Sequence, residues 1–88
     1  MKGVKVKVLF FAALREQLGR SAEEMELPSG VSTVAGLRNH LVKRGGPYEK
    51  AFGGNALIRT AVNQDMVQPT APIKTGDEIA FFPPVTGG

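Results

Sequence analysis

Residues 4–11 of the chain read VKVKVLFF. Apolar side chains recur there at every second position, which is typical of a β-strand with one face in a hydrophobic core. The same period of two places Leu9 and Phe11 on the opposite face. We therefore expect a half-buried strand here, and the neighbouring segments decide what it pairs with.

The segments that follow alternate between helical and extended patterns. Val34, Leu37 and Leu41 recur at helical spacing, and glycine- or proline-containing turns separate the segments. In chain order, the predicted elements are a helix at 12–18, a strand at 24–27, the main helix at about 33–44, a strand at 57–62, a short strand at 66–67 and a last strand at 78–82.

A strand pair, one main helix and further strands make an α+β order. The ubiquitin-like β-grasp fold has this order, so we predict a mixed sheet of four to five strands packed on the main helix. Residues 47–54 permit one turn of helix through Tyr48, Ala51 and Phe52, but their glycines predict the least ordered part of the chain. We expect residues 1–82 to form this single domain and residues 83–88 to form an extended tail.

The composition excludes several kinds of chemistry. A chain of 88 residues without cysteine has no disulfide, no thiolate zinc site and no cysteine nucleophile. Its one histidine, His40, is interpreted as a partly buried structural residue, and Arg15, Glu16, Asp77 and Glu78 as solvated surface charges. We expect no metal site and no bound cofactor.

The charge and hydropathy patterns bear on partners and location. Eleven basic and eight acidic residues give a net charge of +3, but the basic residues form no dense stripe, so nucleic acid is not expected as a partner. No apolar run reaches the roughly 18 residues of a membrane helix, and the start of the chain lacks a signal-peptide pattern. The expected location is the cytoplasm, with no membrane partner.

The last eight residues, 81–88, read FFPPVTGG and carry the most specific functional signal. Pro83 and Pro84 have no amide hydrogen, so they end a sheet ladder and favour an extended chain. Val85 and Thr86 are uncharged, and the two terminal glycines have no side chain. Such a segment is either a frayed terminus or a tail that threads into a narrow channel of another protein.

A threading tail would deliver the terminal carboxylate of Gly88 to a partner's active site. A carboxylate is a poor electrophile until it is activated, and adenylation supplies a leaving group. Sulfide would convert the acyl-adenylate to a thiocarboxylate, whereas an amine would give a conjugate. In either case the reactive atom belongs to the main chain of Gly88, with Pro83, Pro84, Val85, Thr86 and Gly87 as the threading residues.

Three stretches carry a family resemblance: residues 6–12 (VKVLFFA), residues 61–64 (AVNQ) and residues 76–88 (GDEIAFFPPVTGG). Through them the chain resembles the molybdopterin synthase small-subunit family of ubiquitin-like sulfur carriers. The resemblance spans the chain, and the last stretch is the most specific.

The resemblance implies a cycle that other proteins complete. An adenylating enzyme related to ubiquitin-activating enzymes would use ATP and magnesium to activate Gly88, and a sulfurtransferase system would form the thiocarboxylate. The tail would then enter the molybdopterin synthase large subunit in a heterotetramer of two large and two small subunits. The catalytic side chains belong to the large subunit in that family, so this chain would be a sulfur donor that does not itself catalyse the reaction.

The resemblance also implies an interface formed by Phe11, Met66 and Phe82. Strand parity supports it for the two phenylalanines, because Phe11 and Phe82 face outward if the alternate residues of their strands face the core. The alternative for each is burial under a loop, and Met66 is an ordinary gap-filling residue type.

Three other functions remain open from the sequence. These are a sulfur carrier for thiamine synthesis or tRNA thiolation, a ubiquitin-like protein modifier that is joined to lysines, and a β-grasp interaction module. The thiamine carriers are typically shorter and lack the insert that residues 45–55 would provide. The same tail chemistry permits the modifier, because acyl-adenylates also accept amines.

Overall fold

A computed structural model describes residues 3–54 and 57–83. The elements it contains there are β1 (Val4–Phe10), α1 (Ala13–Leu18), β2 (Ala22–Leu27), α2 (Val34–Val42), α3 (Pro47–Phe52), β3 (Arg59–Val62), β4 (Asp65–Val67) and β5 (Glu78–Phe82). No helix in these two ranges has both the length and the apolar character that a membrane span requires.

The five strands form one mixed sheet in the order β2-β1-β5-β3-β4. The first and last strands, β1 and β5, pair in parallel, whereas the other neighbours are antiparallel. Helix α2 buries Val34, Leu37 and Leu41 in the same core as the inner face of the sheet. This is the ubiquitin-like β-grasp arrangement, so the predicted α+β class and strand number are confirmed.

The parity predicted for the first strand is confirmed. Val6, Val8 and Phe10 are buried, whereas Lys5 and Lys7 are exposed on the other face. Burial of three such side chains contributes on the order of 5 kcal/mol to folding before the entropy cost is subtracted. The pattern at residues 4–11 therefore places β1 in the sheet with its outer face available to solvent.

Helix α2 is shorter than the predicted range of about 33–44. Thr33 is its N-terminal cap, and the hydroxyl oxygen accepts a hydrogen bond from the Gly36 amide at 3.1 Å. At the other end, the Arg44 amide donates to the Leu41 carbonyl at 3.0 Å, three residues back, so the last turn tightens. Gly45 follows with a φ of 74°, a left-handed value that glycine adopts without strain.

The turn of helix that residues 47–54 permit through Tyr48, Ala51 and Phe52 is confirmed, whereas the expectation that this stretch is the least ordered part of the chain stays a prediction. Pro47–Phe52 form helix α3, with proline in the first turn, where its missing amide costs nothing. Phe52 is buried, with its ring centroid 5.0 Å from that of Phe81. Burial of a large aromatic side chain outweighs the weak helix propensity of the flanking glycines. Residues 55 and 56 lie outside the described part of the chain.

A charged cluster fastens α3 to β2. Glu23 accepts hydrogen bonds from Arg44 at 2.8 Å and from the Tyr48 hydroxyl at 3.1 Å, and the Arg44 guanidinium lies 4.2 Å from the Tyr48 ring centroid. Burial alone would raise the pKa of Glu23, but the hydrogen bonds from Arg44 and Tyr48 and the charges of Arg44 and Arg20 lower it. The cluster therefore holds an ionised carboxylate at neutral pH.

Asp77 was interpreted from the sequence as a solvated surface charge, and this is wrong. The residue is only 4% exposed. One carboxylate oxygen accepts from the Asn63 side-chain amide at 3.0 Å, and the other accepts from the Lys74 backbone amide at 2.9 Å. Asp77 thus joins the turn before β5 to the turn after β3.

Replacing Asp77 by asparagine is expected to lower the free energy of unfolding by about 1–3 kcal/mol, because asparagine has one acceptor oxygen and can accept from the Lys74 amide or from the Asn63 side chain, but not from both. Burial would raise the pKa of Asp77, but its hydrogen bonds from Asn63 and Lys74 lower it. The native pKa is therefore depressed, so this stabilisation is present above the unfolded value of about 3.9 and is lost as the pH falls through the native pKa. Urea unfolding of both proteins at pH 7 and near pH 3 checks this. A difference in unfolding free energy between the two proteins that is the same at both pH values would contradict this prediction.

Candidate functional site

Phe11 and Phe82 lie side by side where the neighbouring strands β1 and β5 end, at one end of the sheet. Because β1 and β5 run in parallel with Phe10 opposite Phe81, the residues that follow each of these also become neighbours. The Phe11 amide donates to the Phe81 carbonyl at 3.2 Å, which fixes the chain just after β1. The ring centroids of Phe11 and Phe82 are 5.3 Å apart. Sequence parity therefore predicted the face of both side chains correctly.

The outer face of the sheet is apolar beside these rings, with the two alanines at its middle, Ala61 and Ala80, largely covered by their neighbours. Ala80 of β5 lies opposite Leu9 on one side and opposite Ala61 on the other, and Ala61 lies opposite Met66 of the edge strand β4. Small residues in the middle and large ones around them leave a shallow surface. We call this surface the apolar patch; it consists of Leu9, Phe11, Ala61, Met66, Ala80 and Phe82.

Exposure is uneven across the apolar patch. Phe11 is 42% exposed and Met66 is 56% exposed, whereas Phe82 is half-buried against Phe11. Met66 lies two strands from β5, roughly 10 Å away across the sheet. The three residues expected at an interface thus share one face, but only the two phenylalanines touch. Exposed large apolar side chains that lie together are typical of protein-binding surfaces.

The other half of the outer face carries charged residues, and residues of opposite charge face each other on neighbouring strands. Lys5 lies opposite Glu26, and Lys7 lies between Glu24 on β2 and Glu78 on β5. Opposite charges on facing strand positions are mutually favourable. This half therefore has little unmatched charge, and the apolar patch is the part of the face suited to a hydrophobic contact.

The tail begins at the same end of the sheet. Strand β5 ends at Phe82, and the half-buried Pro83 lines a groove with Leu14, Leu57 and Ile58. The other predicted tail residues lie outside the described part of the chain: Pro84, Val85, Thr86, Gly87 and Gly88. The described geometry thus places the start of the tail beside the apolar patch.

Sequence reasoning missed Leu57. The strand predicted at 57–62 begins only at Arg59, so Leu57 precedes it and is 74% exposed beside the groove that Pro83 lines. An exposed leucine that immediately precedes a strand has no periodic signal, because the apolar run 56–58 simply extends the strand pattern. Leu57 is therefore a second exposed apolar side chain, after Phe11, near the start of the tail.

Polar chemistry is sparse in this region. Within residues 3–54 and 57–83, no three His, Asp or Glu side chains are grouped so that they would hold a metal ion. His40 is half-buried on α2, as the sequence predicted. The arrangement beside the tail offers apolar contact and a fixed starting point for Pro83.

The mixed five-stranded sheet packed on α2 places the chain in the class of ubiquitin-like β-grasp proteins. Within that class, the chain belongs to the ThiS family, whose model matches residues 8–88. The family resemblance predicted from the sequence is thereby confirmed.

Individual relatives agree with this membership. The chain is 43% identical over 83 residues to the molybdopterin synthase sulfur carrier subunit of Escherichia coli, which covers 94% of this chain and 99% of the relative. A Pyrococcus furiosus structure assigned as subunit 1 of a molybdopterin converting factor is 34% identical, with a TM-score of 0.75, and the match covers 93% of this chain and 99% of that one. The small archaeal modifier protein 1 of Haloferax volcanii is 26% identical, with a TM-score of 0.77 and coverages of 94% and 100%.

Proposed function

We propose that this chain is the sulfur carrier subunit of molybdopterin synthase and acts in molybdenum cofactor biosynthesis. The observation that carries the proposal is the 43% identity to the E. coli subunit of that name over nearly the full length of both chains. The position of the apolar patch beside Pro83 supports it, because a carrier must dock and deliver its tail at the same place.

The proposed chemistry takes place at Gly88. Its carboxylate attacks the α-phosphate of ATP in the adenylating enzyme, forming an acyl-adenylate and releasing pyrophosphate. A sulfide equivalent attacks the carbonyl carbon and displaces AMP, which leaves a thiocarboxylate. That sulfur is transferred to the cyclic pyranopterin precursor, and a water oxygen restores the carboxylate of Gly88. Two carriers in turn supply the two sulfur atoms of the dithiolene. ATP and magnesium belong to the activating enzyme, and this chain supplies the carrier carbonyl.

The proposed partner for the transfer step is the synthase large subunit, in an assembly of two large and two small subunits. Five residues follow Pro83, so the terminus reaches roughly 17 Å from it at about 3.4 Å per residue. A partner active site must therefore lie close to the surface that binds the apolar patch. Phe11, Met66 and Phe82 are the proposed contact residues, since apolar side chains at the centre of an interface dominate its affinity.

Intact mass spectrometry tests the proposal. The protein is incubated with the adenylating enzyme, ATP, magnesium and a sulfide source. The expected result is a gain of about 16 Da located at Gly88, the difference between sulfur and oxygen. No gain in the presence of an active adenylating enzyme would count against sulfur carriage, and omission of ATP is the control.

A protein modifier is the second candidate function. The likeness to a small archaeal modifier protein, with a TM-score of 0.77 at 26% identity, supports this second candidate function. The same acyl-adenylate would then be attacked by a lysine amine, forming an amide and releasing AMP. In the mass experiment, repeated with cell extract, covalent adducts on lysines in place of the thiocarboxylate would favour the modifier.

A further inference from the structure

The turn between β1 and α1 contains an alanine in a backbone conformation that favours glycine. Ala12 has a φ of 54° and a ψ of −128°, and the Leu14 amide donates to the Phe11 carbonyl at 3.1 Å across the turn. This is the geometry of a type II′ turn, whose first central position is dominated by glycine. A Cβ at positive φ strains the backbone, so alanine is an unfavourable choice here.

A second turn of the same type in this chain has glycine at the equivalent position. Helix α3 also begins on this geometry: Gly46 has a φ of 57° and a ψ of −133°, and the Tyr48 amide donates to the Gly45 carbonyl at 3.2 Å. A Cβ built on Gly46 meets no atom within 4 Å, so space does not dictate the glycine there. The two turns therefore share one backbone conformation. They differ at the first central residue, where Ala12 carries a methyl group and is strained, whereas Gly46 carries none.

The fold gives no local reason for the methyl group of Ala12. The residue is exposed, so it fills no part of the core. It precedes α1, so helix propensity does not favour it, and it has no side-chain hydrogen bond that caps the helix. What distinguishes it from Gly46 is its position directly after Phe11, at the edge of the apolar patch.

We propose that Ala12 is a contact residue for the synthase large subunit, and that its methyl group extends the apolar patch past Phe11. The inference rests on the proposed function. The strained turn is fixed by the Phe11–Phe81 and Leu14–Phe11 backbone hydrogen bonds, so the methyl group is held in a defined place. It fits a partner surface that is apolar and approaches the turn closely. Stability is given up in the free carrier for a contact made only in the complex.

Two opposite substitutions test the inference. Ala12→Gly relieves the strain and removes the methyl group, whereas Gly46→Ala adds the same strain away from the apolar patch. We expect Ala12→Gly to raise the melting temperature and to weaken binding to the purified large subunit by about 4-fold, the value of the one buried methyl group that is removed. We expect Gly46→Ala to lower the melting temperature and leave the dissociation constant unchanged.

Titration calorimetry with the large subunit and thermal melts of each free variant give both readouts. Binding of Ala12→Gly that is as tight as wild type would overturn the inference while leaving the proposed function in place. A lower melting temperature for Ala12→Gly would overturn it as well, because the strain would then be absent. If the wild-type chain itself does not bind the large subunit, the proposed function fails, and the assignment of Ala12 fails with it.

Discussion

Removal of Gly88, or addition of one bulky residue after it, is expected to abolish sulfur transfer while the melting temperature stays unchanged. The reacting carbonyl is the last atom group of the chain, so either change displaces it from the partner's reacting groups. Misplacement by about 1 Å already costs on the order of 100-fold in rate, and one residue moves the carbonyl by more than 3 Å. The measurement is the rate of product formation with purified partners, alongside a thermal melt.

The control for this prediction is the same bulky residue added before Met1. Strand β1 starts at Val4 and runs toward Phe11, so an addition at that end lies on the side of the sheet away from the tail. Normal sulfur transfer is expected from this control. Sulfur transfer that persists at the wild-type rate after deletion of Gly88 would refute the role of the tail.

Phe82→Asp is expected to weaken binding to the large subunit by about 100-fold or more without unfolding the carrier. The change removes an aromatic side chain from the apolar patch and buries a carboxylate against the partner, and each effect is worth at least about 1–2 kcal/mol at an interface. Because Phe82 is only half-buried and faces away from the core, the fold should persist. Binding is measured by titration calorimetry and folding by thermal melts.

Two further variants make the result specific. Met66→Asp places the same charge on a side chain that is 56% exposed, so its expected loss of binding cannot come from core disruption. Ser29→Asp adds the charge in an exposed turn after β2, at the opposite end of β1, and should bind normally. Equal binding by Phe82→Asp and wild type would show that the partner uses another surface.

The parts of the structure that follow from periodicity could be predicted from the sequence. The alternation in residues 4–11 determines which side of β1 is buried, and the same argument at β5 turns Phe82 outward. The parallel pairing of β1 with β5 then brings Phe11 and Phe82 into contact. The apolar patch is therefore a consequence of two local patterns and one topological rule.

The parts that depend on distant partners could not be predicted. Asp77 looks like a surface charge because its partner Asn63 is 14 residues away, and only the pairing of β3 with β5 brings the two turns together. Helix α3 is flanked by glycines, so the sequence permits only one turn of helix there, and the packing of Phe52 on Phe81 could not be predicted. The strain at Ala12 is a backbone angle, which no residue pattern reports.

A single-turnover transfer experiment tests the central claim most directly. Carrier thiocarboxylated at Gly88 is mixed with the large subunit and the cyclic pyranopterin precursor, and both the carrier mass and the pterin product are followed. We predict that the carrier loses about 16 Da, returning to the carboxylate, and that two carriers are consumed for each dithiolene of molybdopterin that appears. A thiocarboxylate that remains on Gly88 in the presence of an active large subunit and precursor would contradict it.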